Sequence, residues 1–406
     1  MGRISGTTQD TPRLPGLAAR PQERKPARNK NAMARFELQP VVRAALPDVA
    51  AFLHRWRNSQ AEGSPDRKPF GETVLDIQRR LKWLLVDNPL ATADATLGYC
   101  LRDGEGVVRG INLCFPAAFL RADKRLLGLC SGSFFVEPPA RSLGFYLFKK
   151  YLSTPGCSFH FASTCNAGSG ELWRMVGGCP VPNSETEYIL PLRLDVMIPA
   201  FVAARTASGA AAGIARICGR GANPILRFLT RPSAELAIAP CQDWEKLAEL
   251  SRRHRPPGHI TSDRSPAFLR WRYGPGSPAY PCGVYVFRDQ MGHEGWFALG
   301  KLSHGDGGQF RASVLLDAIW PRERMSFGPI FREILRVAAG SADALFFRWQ
   351  PGLNYSKYSR FVIPHKLGAP RAFVRLPKGA PRFPLDSLDY DDSDYIAWEF
   401  QWTPEY

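Results

Sequence analysis

The strand and helix patterns over residues 36–192 recur, element for element, over 234–376, and this repetition constrains the fold more than any single motif. Period-two alternation and 3.6-residue apolar spacing give strand (36–42), helix (45–58), helix (72–86), strand (96–102), strand (106–116), strand (125–136), helix (141–153), strand (157–162), helix (168–177) and strand (185–192). The same order returns as strand (234–239), helix (242–254), helix (265–273), strand (283–288), strand (295–302), strand (311–317), helix (326–338), strand (343–349), helix (353–360) and strand (371–376). Asn166 of the first set falls opposite Asn354 of the second. A chain of 406 residues exceeds one ordinary core, so a duplicated unit with two cores is expected. The boundaries are a domain over 36–195, a linker over 196–233 forming a helix and a loop, and a second domain over 234–378. Flanking them are a basic, Pro- and Arg-rich tail (1–35), expected to be disordered, and an acidic, aromatic tail (379–406). Met33 opens an alternative start to the folded part.

Charge narrows the partners. The net charge is +16, with eight basic and two acidic residues in 1–35, and seven acidic and no basic residues in 386–406. The body therefore carries a strong positive excess, which suits an anionic ligand such as a nucleotide cofactor, an acidic polymer or a lipid surface. Nucleic-acid binding would rest on charge alone, since no aromatics interleave the basic tail. Nine cysteines (Cys100, Cys114, Cys130, Cys157, Cys165, Cys179, Cys218, Cys241 and Cys282) are odd in number and never spaced C-x-x-C. They read as small core residues in a reducing compartment, with no zinc or disulfide frame. No apolar signal segment and no uncharged apolar run long enough to span a bilayer occurs, which points to the cytoplasm.

The chemistry concentrates between Phe134 and Gly178. A strand ends at Pro138-Pro139, which cannot donate to a ladder, and Arg141 and Gly144 follow at the head of an amphipathic helix. Free amides in that first turn, with the helix dipole behind them and Arg141 beside them, would form an anion site suited to a pyrophosphate. Gly132, inside the preceding strand, marks a bulge or a close backbone approach.

The wording V-x-P-x-x-R-x-x-G (Val136, Pro138, Arg141, Gly144) resembles the coenzyme A signature of the GNAT acyltransferase superfamily. A strand at 158–162, Asn166 and a helix ending at Gly177-Gly178 follow in the family's order. Tyr146 stands where the family usually has a small residue, and Trp173 where its helix usually carries a Tyr. The resemblance implies an α/β protein of two GNAT-like domains, each a mixed, mostly antiparallel sheet flanked by helices. It also implies acyl transfer from acetyl-coenzyme A, or another acyl-coenzyme A, to an amine or hydroxyl by direct attack in a ternary complex. Tandem proteins of this look often serve envelope or polysaccharide biosynthesis. Phe135, Val136, Arg141, Ser142, Leu143, Gly144, Phe145, Tyr146 and Asn166 would hold the coenzyme, in the first domain only. A bulge near Gly132 would splay two strands for the pantetheine arm. The second domain, lacking R-x-x-G at Arg322-Glu323-Arg324-Met325-Ser326-Phe327-Gly328, would wall the acceptor cleft.

Such a transfer needs a base for the acceptor proton and an acid for the leaving thiolate. Glu137, at the strand end, is the candidate base, with a solvated turn residue as its plainer reading. Tyr146 or Tyr358 would stand in for the family's missing phenol, and Tyr358 is the candidate acid. His160, alternating with apolar neighbours, reads as a packed core histidine. The missing family tyrosine motivates the competing class, a catalytically inactive protein that binds coenzyme A or a partner. Gly295-Trp296-Phe297-Ala298-Leu299-Gly300-Lys301-Leu302 only imitates a phosphate loop and reads as a strand. Asp389, Asp391, Asp392 and Asp394 lack the glycine and final Glu of a calcium loop, so no metal is expected.

Overall fold

The computed structural model describes residues 35–62, 73–203, 209–229, 231, 235–304, 310–348, 362–380, 382–389, 393 and 396. β1 (Phe36–Pro40) leads to α1 (Leu46–Glu62) and α2 (Val74–Leu81), the latter opened by a Thr73–Asp76 capping box. β2 (Gly98–Asp103), β3 (Val108–Arg121) and β4 (Lys124–Val136) form a meander. Then come α3 (Gly144–Leu152), β5 (Phe159–Ala162), α4 (Ala167–Met175), β6 (Cys179–Pro180) and β7 (Thr186–Pro191). The linker forms two helices, α5 (Leu194–Ala203) and α6 (Gly209–Leu229), where one helix and a loop were expected.

The second half repeats the order as β8 (Leu236–Pro240), α7 (Trp244–Arg253), β9 (Ile260–Ser262), α8 (Pro266–Tyr273), β10 (Gly283–Asp289), β11 (Glu294–His304), β12 (Phe310–Ile319), α9 (Phe327–Ala339), β13 (Ala344–Arg348), β14 (Ile363–Lys366) and β15 (Phe373–Arg375). β9 and β14 carried no sequence signal, since three or four residues are too few to show a period. The helix expected at 353–360 lies outside the described residues.

Two sheets result, ordered β1-β2-β3-β4-β5-β15-β6 and β14-β7-β13-β12-β11-β10-β8. Among the described residues their ladders are antiparallel except β4–β5 and β12–β13. The sheets do not follow the chain halves. β7, read as the closing strand of the first half, pairs β13 in the second sheet, while β15 of the second half pairs β5 in the first. Ser184 Oγ accepts from the Ala372 amide at 3.2 Å beside this exchange. β9 also joins β3 at Phe119–Arg121, along the edge that β2 leaves open. Strand periodicity fixes which face a residue takes but not which strand lies alongside, so the exchange was not legible in sequence.

The halves meet around Trp83 and Trp271, whose rings stack at 4.6 Å and 16°. Each indole N–H donates to the other's backbone carbonyl at 2.9 Å, a reciprocal pair 188 positions apart. Ser184 and Ala372 are separated by the same 188 positions. One face of the first sheet (Phe115, Phe119, Phe159, Phe161) packs on α1 and α2 through Phe52, Leu53, Ile77 and Leu81. The other face is covered by α3 and α4 through Leu147, Phe148, Tyr151 and Trp173. In the second sheet, Ile330, Phe331 and Ile334 of α9 seal Phe297, Leu345 and Phe347. Full burial of each such side chain contributes about 1.5–3 kcal/mol, so both sheets are held firmly.

Candidate active site

The first sheet carries a bulge followed by a parting of strands. Ile111 faces Phe135 and Leu113 faces Gly132, so Asn112 opposes both Ser133 and Phe134. Ser133 takes the extra turn, at φ 53, a left-handed conformation costing a non-glycine residue on the order of 1 kcal/mol. The bulge thus sits one residue beyond Gly132. β4 and β5 pair only at Gly128–Phe159, Leu129–His160 and Cys130–Phe161, yet β4 continues to Val136. From Ser131 onward a wedge opens between them.

Polar groups cluster around this wedge. Asn112 is fully buried, and its side-chain oxygen accepts from Ser131 Oγ at 2.7 Å. Its Nδ2 has no partner among the described residues, and neither does the fully buried Ser163 Oγ just beyond β5. Buried donors are rarely left unpaired, so both call for an acceptor. Tyr151 closes the root: its hydroxyl donates to the Leu129 carbonyl at 2.6 Å and lies 3.2 Å from that of Phe161. Burial pushes the Tyr151 phenol well above its ordinary value, so it stays protonated. His160, 3.5 Å from Cys157 Sγ and edge-on to Tyr151, is a buried core histidine as the alternation implied. Its imidazole is pushed down to about 4 by burial, with Arg375 adding to the effect.

The turn after β4 differs from the expected open anion cradle. Pro138 and Pro139 preset φ and start a 3-10 turn over Pro138–Leu143 that runs straight into α3. The Gly144 amide consequently donates to the Arg141 carbonyl and is not free for a phosphate. A methyl on Gly144 would meet Val136 and Phe134 at 3.6 and 3.7 Å, ordinary contacts, so chain packing does not demand the glycine. Arg141 and Ser142 are exposed, and Arg141 has no acidic partner among the described residues. Phe135, Val136 and Phe145 are half-buried, Leu143 and Gly144 are buried, and Tyr146 is exposed.

Glu137 does not stand open to the wedge. Its carboxylate accepts from Arg55 Nε and from Arg109, both at 3.1 Å, and its amide donates to the Arg109 carbonyl. Arg109 also donates to Asp103 at 2.7 Å. One guanidinium engages each carboxylate oxygen, an arrangement that anchors the strand end. Asn166 caps α4, accepting from the Ser169 amide at 2.9 Å while Ser169 Oγ accepts from its own. Trp173 is buried among Phe148, Tyr151 and Phe373. Tyr358 and Asn354 lie outside the described residues.

The second sheet repeats the device. Ala298 faces Asp317 and Leu299 faces Leu315, so Leu316 is an extra residue, and β12 runs on past its last pair with β13 at Leu315–Phe347. Arg264 donates to both oxygens of Asp317 at 2.7 and 2.9 Å and to Asp389 at 2.5 Å, tying the acidic tail to the body. Tyr273 donates to Asp317 at 3.3 Å. Beside this network His259, Ala318 and Arg322 line a cavity of about 20 Å³, room for about one water. Arg322 lies 4.7 Å over the Trp320 ring, and burial lowers its guanidinium pKa. A cation therefore does follow β12, although the R-x-x-G spacing is absent.

No protein-family model and no curated protein sequence matches the chain. Solved structures do. A probable N-acyltransferase from Enterococcus faecalis V583, described as of unknown function, aligns over 84% of this chain and 72% of its own, at 9% identity and TM-score 0.52. Saccharomyces cerevisiae N-myristoyltransferase with bound myristoyl-CoA aligns over 84% and 78%, at 12% identity and TM-score 0.51. A GCN5-related N-acetyltransferase from Anabaena variabilis ATCC 29413 aligns over 84% and 73%, again at 12% and 0.51. At such identities the likeness carries architecture alone, and the architecture is the GNAT fold.

Proposed function

We propose that the protein is a tandem GNAT acyltransferase that moves an acyl group from acyl-coenzyme A to an amine or hydroxyl, and that the donor lies in the β4–β5 wedge. The observation that carries this reading is the wedge itself, which opens at Ser131, where buried Asn112 is hydrogen-bonded and keeps an Nδ2 without a partner among the described residues. A pantetheine carbonyl would satisfy that donor, and Arg141, exposed and without an acidic partner among the described residues, would take the pyrophosphate. In a ternary complex the acceptor's lone pair attacks the thioester carbonyl. A C–N or C–O bond forms, the C–S bond breaks, and the acceptor proton is balanced by protonation of the thiolate. Holding the two substrates together supplies much of the rate. Glu137 is assigned to positioning the strand end, and Tyr358 remains the proposed acid. The nine scattered cysteines, odd in number and without C-x-x-C spacing, support a reducing, cytoplasmic setting.

The burial of Trp173 among aromatics, with no phenol at that position, favours the second reading, a coenzyme A binder without turnover. Release of free thiol from a panel of acyl-coenzyme A donors and amine or hydroxyl acceptors separates the two. Titration calorimetry should give one coenzyme A per chain, weakened by about 1–3 kcal/mol in Arg141→Ala. Unchanged affinity in that variant, or a stoichiometry of two, rejects the donor assignment.

A further inference from the structure

The hairpin of α5 and α6 is built rigidly yet presents an apolar face to solvent. Gly219 lets the helices cross closely, since a Cβ there would stand 2.5 Å from the Leu194 carbonyl. Asn223 then caps α5, its oxygen accepting from the Leu194 amide and its Nδ2 donating to Asp195, each at 2.8 Å. Ala215 and Leu226 face inward. On the opposite side of α6, Ile214 is 66% and Ile217 71% exposed, and Phe201 of α5 is 39% exposed. Cys218 and Gly221 lie on that outward face, at the i+4 and i+7 positions from Ile214. Burying such side chains is normally favourable, and a fixed helix that exposes them together is poised for an apolar neighbour.

The flanking charge says which neighbour. Arg216 and Arg220 are exposed beside the isoleucines, and neither forms an ion pair among the described residues. Residues 196–234 contain five arginines (Arg205, Arg216, Arg220, Arg227 and Arg231) and no Asp or Glu. The acid just before them, Asp195, is held by Arg193 and Asn223. An apolar stripe edged by guanidiniums without a carboxylate matches the interface of an anionic bilayer, where isoleucines enter the acyl boundary and arginines meet phosphates. No helix among the described residues is long and apolar enough to cross a membrane, so the contact would lie in the interfacial plane.

We propose that the α5–α6 hairpin docks the protein on an anionic lipid surface, with Ile214 and Ile217 inserted and Arg216 and Arg220 on headgroup phosphates. This stands whether or not the wedge is an acyl-transfer site. The test is flotation of the full chain with vesicles of phosphatidylcholine alone and of an equal mixture with phosphatidylglycerol. The protein should float only with the mixture. Arg216→Gln/Arg220→Gln should bind about thirtyfold more weakly, from roughly fivefold per arginine. Ile214→Gln/Ile217→Gln should lose flotation while keeping the thermal midpoint, because both side chains are exposed. The proposal is overturned if the unaltered chain does not float. It also fails if both variants float as well as the parent, or if the isoleucine change instead abolishes a dimer seen by light scattering without lipid.

Discussion

His160 offers the sharpest measurement of how the wedge is built. It sits on β5 at the last ladder pairs before the strands part, buried, edge-on to Tyr151 at 5.1 Å. In the unfolded chain its imidazole titrates near 6.5, and in the native protein at about 4, because burial and Arg375 disfavour the cation. The native state therefore binds fewer protons than the unfolded state as pH falls. Stability is whole above 6.5 and is lost progressively down to 4. From those two values the loss is about 2 kcal/mol at pH 5 and about 3 kcal/mol at pH 4. His160→Gln, similar in volume and uncharged, lacks this term. Urea unfolding of both proteins at several pH values should give curves that converge on acidification, the variant losing about 2 kcal/mol less between pH 7 and 5. Carboxylates titrate alike in both proteins and cancel. Parallel curves, or a His160 ring resonance titrating at 6 or above, would refute the reasoning.

Arg264→Met leaves buried Asp317 and half-buried Asp389 without their shared cation, which should cost about 3–5 kcal/mol in denaturant unfolding; a loss under 1 kcal/mol would dismiss the network as structural. Tyr151→Phe removes the hydroxyl from the Leu129 carbonyl, and chemical unfolding should register a drop of about 1–2 kcal/mol. Asn166→Ala should lower stability by about 1 kcal/mol through the lost cap while leaving coenzyme A affinity untouched. An affinity loss in calorimetry would return Asn166 to the cofactor site.

Alternation and helical spacing determined nearly all the long elements, because a strand's faces and a helix's stripe are properties of local sequence. The strand expected at 125–136 forms over Lys124–Val136, and the helix expected at 326–338 over Phe327–Ala339. The doubled order was legible for the same reason, and the GNAT resemblance at Val136, Pro138, Arg141 and Gly144 followed from neighbouring residues. What the sequence did not contain was partnership. The exchange of β7 and β15 between sheets, the reciprocal Trp83–Trp271 bonds and the closing of Arg264 on Asp389 join residues more than a hundred positions apart. No local period encodes such a pairing. Chemistry at the site was decided the same way. Glu137 looked open because its neighbours in sequence are prolines, and it is engaged because Arg55 and Arg109 arrive from α1 and β3. The Gly144 amide looked free because a strand was followed by a helix, and it is spent because two prolines began the turn early. Sequence set the shapes of the pieces, and tertiary contact set which polar groups were left without partners, since burial is what makes an unpaired donor costly.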